Sequence, residues 1–153
     1  MTTLQHATVS LVAAAWLATI PGITADMVGT RLPRPATDGS VSWAETGFVQ
    51  ITPVGGGFGM YVPLSSPVVQ VDCWATQSNS DLPPLAKADA LAMTVAWAAV
   101  ENVGIETELV LRDGYVGARV MSAYLLDVPR PMYADPSDYA RYTMHLAMNW
   151  VES

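Results

Sequence analysis

The stretch that most constrains the fold lies at the C-terminal end. From Tyr139 to Val151, apolar and polar residues alternate over the whole length. Ala140, Tyr142, Met144, Leu146, Met148 and Trp150 fall on one side. Arg141, Thr143, His145 and Asn149 fall on the other. A period of two marks a strand, because successive side chains point to opposite faces of a sheet. A strand of this kind carries one apolar face that another layer must cover.

Two segments have the helical spacing that such a cover requires. From Thr3 to Thr19, the residues Val9, Val12, Trp16 and Ile20 recur at helical intervals with Leu17 beside them. Thr2 or Thr3 can cap this helix, Pro21-Gly22 stops it, and Trp16 is expected to anchor the core. From Leu85 to Asn102, positions 85, 88, 92, 95 and 99 form one apolar stripe, and Gly104 is placed to end the helix. Trp97 lies off that stripe, so this helix is expected to be covered on two sides.

Shorter strands are expected at Phe48–Val54 and Pro67–Ala75. A further strand at Arg119–Val128 is broken by Pro129-Arg130-Pro131. Ile23–Leu32 reads as a short extended stretch. Arg31–Pro35 and Asp38-Gly39-Ser40 read as loop, as do the polar segment Gln77–Pro84, Arg112-Asp113-Gly114 and Asp135–Asp138. The expected class is α+β, a mostly antiparallel sheet of about five strands packed against two helices, in a single domain over residues 1–153. A chain of 153 residues can bury a core without staples.

Searching for chemistry yields little. Gly55-Gly56-Gly57-Phe58-Gly59 follows a strand but lacks the G-x-G-x-x-G spacing, and no G-K-[ST] is present. It reads as a flexible loop joining two strands, with Phe58, Met60 and Tyr61 as an apolar contact surface. The single cysteine, Cys73, excludes an intramolecular disulfide and a cysteine-based zinc site, and reads as a buried hydrophobe. His6 and His145 lie far apart in sequence. Glu101, Glu106 and Glu108 read as solvated surface. No catalytic, metal-binding or cofactor-binding residue is expected.

Charge narrows the partners. The formal net charge is −7, and the seven basic residues are scattered singly. A protein that holds nucleic acid through its phosphates needs a basic patch. Charged residues make up only 14% of the chain, and 51% is hydrophobic. That balance leaves uncharged surface for other subunits to cover. The apolar run Leu11–Ile20 is shorter than a membrane span and has no Lys or Arg before it. The expectation is therefore a soluble cytoplasmic protein.

Three stretches carry a resemblance. They are Ala15-Trp16-Leu17 followed by Gly29-Thr30-Arg31-Leu32-Pro33; Val69-Gln70-Val71-Asp72-Cys73-Trp74-Ala75 leading through a polar loop into the Ala-rich helix; and Tyr133-Ala134-Asp135-Pro136-Ser137-Asp138-Tyr139-Ala140-Arg141-Tyr142 before the last strand. In this order, over roughly residues 5 to 151, the chain resembles the tail terminator proteins of long-tailed bacteriophages, especially those infecting actinobacteria. The resemblance implies a non-enzymatic homohexameric ring on the head-proximal end of the tail tube. Such a ring stops tube polymerisation, meets the major tail tube protein and a head-completion or neck protein, and lets DNA pass without specific binding. It also implies a place in the virion tail after assembly in the host cytoplasm, with no membrane partner. Phe58, Met60, Tyr61, Arg31 and Arg34 are the expected interface residues. Asp81, Glu106 and Glu108 are candidates for an acidic lumen, with the arginines, Arg112 and Arg130 included, turned to subunit contacts or the outer rim. The alternatives are another head–tail connector, a small secreted ligand-binding domain should the N-terminal run be a signal, and a hydrolase.

Overall fold

The computed structural model describes residues 3–58, 64–76, 84–132 and 139–153. Two helices and seven strands follow one another along it. They are α1 (Val9–Leu17), β1 (Val28–Gly29), β2 (Phe48–Phe58), β3 (Leu64–Ala75), α2 (Leu85–Val100), β4 (Glu108–Leu109), β5 (Ala118–Leu125), β6 (Arg130–Pro131) and β7 (Ala140–Glu152). The strands form one sheet in the order β1-β2-β3-β7-β5-β4, with β6 also paired to β7.

The alternating strand became β7, the centre of the sheet, antiparallel to β3 on one side and to β5 and β6 on the other. Its apolar positions Met144, Leu146, Met148 and Trp150 line up with Val69 and Val71 of β3, Val49 and Ile51 of β2 and Val120 of β5 in a single cluster. The inward residues of both helices close that cluster: Val12, Trp16 and Leu17 from α1, and Ala92, Val95 and Ala99 from α2. Both helices thus cover one face of the sheet. Trp16 is fully buried and donates its indole N–H to the Val103 carbonyl at 2.8 Å, so it is the expected anchor.

The α+β class and the two helices are as expected, but the sheet is mixed and seven-stranded rather than mostly antiparallel with about five strands. β1 runs parallel to β2, Val28 beside Val49. A parallel pair needs a long connection, and residues 30–47 supply it. The additional strands β4 and β6 have two residues each, too short to show a period, and β1 is the part of the expected extended stretch Ile23–Leu32 that pairs. Pro131 belongs to β6 instead of only breaking β5; a proline is tolerated on an outer strand, where its nitrogen has no partner to serve.

The helix starts later than expected. Thr8, not Thr2 or Thr3, caps α1, its hydroxyl accepting from Leu11 N. The preceding backbone is used elsewhere, since Gln5 N donates to the Gly114 carbonyl at 2.8 Å and Val116 N to the Gln5 carbonyl. The largest departure is at the glycine run. Gly55, Gly56 and Gly57 do not form a loop; they continue β2, opposite Val68, Pro67 and Ser66. A bulge at Val54 shifts the register. Gly56 takes φ +89°, and a Cβ there would meet the Ser66 carbonyl oxygen at 2.2 Å. Only glycine can pair in that position.

Candidate assembly surfaces

Helix α2 buries Ala88, Ala92, Val95 and Ala99 against the sheet. Four and three residues further along its opposite side stand Met93, Trp97 and Val100, a single helical face. Trp97 was expected to lie under a second cover. Among the described residues that second cover is only partial: Trp97 is 55% exposed and Val100 65%. Across from this face runs the connection from β5 to β6, with Leu126 53% and Val128 78% exposed. Helix and connection together form an apolar groove of about 360 Å³. Large exposed apolar side chains gathered in one place mark binding surface more strongly than scattered ones.

The connection that forms one wall is held by a carboxylate. Asp127 Oδ1 accepts from His145 N at 2.6 Å, and Oδ2 lies 2.7 Å from His145 Nδ1. Oδ2 also accepts from Arg130 Nη1 at 2.7 Å. Burial raises the carboxyl pKa, but the hydrogen bonds from the His145 ring, the His145 backbone and Arg130 outweigh it and hold Asp127 at about 2. The group is ionised throughout the neutral range, so the clamp stays closed there. His145 is thus engaged structurally, and Arg130 is tied to the same carboxylate.

The face of the sheet away from the helices is polar. Trp74 donates its indole N–H to Gln50 Oε1 at 3.0 Å, and Gln70 Nε2 donates to Asp72 Oδ2 at 3.0 Å. Arg141 lies with its guanidinium carbon 5.0 Å from the centre of the Trp74 ring, and its Nη1 is 3.9 Å from Asp72 Oδ1. Trp43, from the long connection before β2, packs with Phe48 and Trp74 and closes one end of this face.

The expected interface residues do not meet in this groove. Arg31 and Arg34 are exposed in the segment between β1 and β2, and neither lines it. Phe58 closes β2 as backbone; its side chain, Met60, Tyr61 and Asp81 lie outside the described residues. Glu101, Glu106 and Glu108 are exposed, with Glu108 Oε1 accepting from Ser153 Oγ at 3.1 Å. His6 Nδ1 is 2.8 Å from Glu152 Oε1, while His145 uses Asp127. Cys73 is fully buried in the core, and burial pushes its thiol pKa up. The groove was missed by sequence reasoning, although Trp97 standing off the buried stripe was its visible signal.

The fold and these surfaces describe an α+β domain whose distinctive exposed feature is an apolar groove between a helix and a clamped connection. No family model matches the chain, and no curated protein matches it. Among solved structures, a chain from the virion of a native gene transfer agent particle is similar at 18% identity, over 94% of this chain and 90% of that one, with a TM-score of 0.48.

Proposed function

We propose that this chain is a structural assembly protein of a long-tailed bacteriophage virion, and within that class a tail terminator. Six copies form a ring on the head-proximal end of the tail tube, end its polymerisation and offer the docking surface for the head neck. The chain acts by binding and not by catalysis. Its partners are further copies of itself, the major tail tube protein and a head-completion or neck protein.

One observation carries the reading: the groove of Met93, Trp97, Val100, Leu126 and Val128 leaves large apolar side chains in water in the single chain. An assembly protein covers such a surface with its neighbours. The resemblance of the three sequence stretches supplies the tail terminator assignment. The charge agrees with it, because a chain of net charge −7 gives a ring that repels the duplex at short range and lets it slide. In this reading the pore is net acidic and Arg31 and Arg34 face subunit contacts or the outer rim.

Electron microscopy of the purified protein mixed with tail tubes tests the proposal. A six-fold ring at one end of the tube is expected. A dimer at that end, or no density there, overturns it.

A further inference from the structure

Glycine in a strand costs stability and needs a reason. Nearly every described glycine has one: either a positive φ, or a neighbour that a Cβ would strike, as at Gly29 and Gly117. Gly55 and Gly57 have neither. Neither has a positive φ, and nothing lies within 4 Å of a Cβ built on either. They are two residues apart on β2, so they share a face, and both are exposed.

The edge they occupy is also open. β1 pairs only with Val49 and Gln50, so beyond the bulge at Val54 the outer side of β2 has no strand beside it among the described residues. Open edges are usually guarded by charge. Here no charged residue occurs between Glu45 and Asp72. Glycine without a side chain on such an edge admits close approach of another backbone. The opposite end of the same sheet is also an edge, β4, and beside it Val110 is 89% exposed.

We infer that the Gly55–Phe58 edge of β2 pairs with the β4 edge of a second copy, extending one sheet from subunit to subunit. A contact between two different edges is head to tail, so it repeats around an axis, and it closes a ring when the rotation per copy divides a full turn. The occupant is a second copy because one kind of contact, repeated from copy to copy, satisfies both edges of every chain, and neither strand opposes the other with like charge. This rests on the self-assembly part of the proposed function and assigns the strand edges that carry it.

The test is sedimentation of the full-length protein over a range of concentrations. Wild type is expected to form closed oligomers. Gly55→Lys/Gly57→Lys is expected to be monomeric, with a melting temperature no lower than that of wild type at concentrations where wild type is dissociated, because both side chains enter open space. Val110→Lys is expected to be monomeric as well. Mixed in equal amounts, the two variants still own one intact edge each and should form heterodimers that grow no further. Wild-type oligomers in both variants, no heterodimer in the mixture, or a wild type that stays monomeric at every concentration each overturns the inference. Should the lysine variant melt early, Gly57→Cys combined with Val110→Cys reads the same contact. A ladder of covalent oligomers under oxidation supports it, and monomer alone overturns it; the deeply buried Cys73 takes no part. Tail tubes are absent from this assay, so the terminator assignment can fail without touching the result.

Discussion

The two sides of α2 are built on opposite rules. The side facing the sheet carries small residues, Ala88, Ala92 and Ala99 with Val95, all buried. The side facing water carries the large ones, Met93, Trp97 and Val100. Small residues let the helix backbone come close to β3 and β7, and the interior between them is packed with few voids. The place of the large side chains outside separates the side of α2 that builds the chain's own core from the side that stays in contact with water.

Four measurements break or sharpen this contrast. Ala92→Asp places an unpaired carboxylate in the core at a fully buried position. It should cost several kcal/mol or prevent folding, seen as loss of a cooperative thermal transition. A variant that melts near wild type would mean that the inner side is not packed as described. Val95→Ala, also fully buried, should lower stability by about 2 kcal/mol in chemical denaturation, from lost contact and a small void.

Asp127→Asn acts on the groove wall rather than on the helix. Losing the charged acceptor for His145 and Arg130 should cost about 1 kcal/mol. The pH dependence follows from the sign of the shift. The folded carboxyl, at about 2, lies below its ordinary value of 3.8. Its contribution is therefore complete above about pH 4 and is lost as pH falls toward 2. Wild-type stability should drop across that interval more steeply than that of the asparagine variant, and parallel curves would exclude the clamp. Trp97→Ser should change the stability of the single chain least, by roughly 0.5 kcal/mol or less, as exposed substitutions do. The same variant should lose tail joining, scored as phage yield. A large drop in melting temperature, or normal yield, would erase the difference between the two sides of the helix.

What was legible in the sequence was whatever a local period can express. The alternation from Tyr139 to Val151 became the central strand β7, and the stripe through positions 88, 92, 95 and 99 became the buried side of α2. The alternation was less clean than its pattern. Thr143 and Ala147, on the polar side, are buried because that face is partly covered as well. Trp97 was noticed as out of place, but periodicity cannot tell a second cover from open water.

The rest was settled by partners distant in sequence. Gly55 to Gly57 carry every local mark of a loop, yet they continue a strand because β3 lies alongside and its Ser66 carbonyl admits only a glycine at position 56. Pro131 is a breaker locally and a strand residue once β7 stands on its one open side. Val28 and Gly29 hold no period, and only the route of the chain back past β2 makes them a parallel strand. The apolar groove exists in neither of its walls alone: Met93 and Trp97 meet Leu126 and Val128 only because Asp127 ties the connection to His145 of β7. Side-chain periodicity is a property of neighbours along the chain, so sequence alone determined the class of fold and the faces of its long elements. Strand pairing and surface juxtaposition depend on backbone groups and side chains brought together from far apart, and those only the tertiary structure decided.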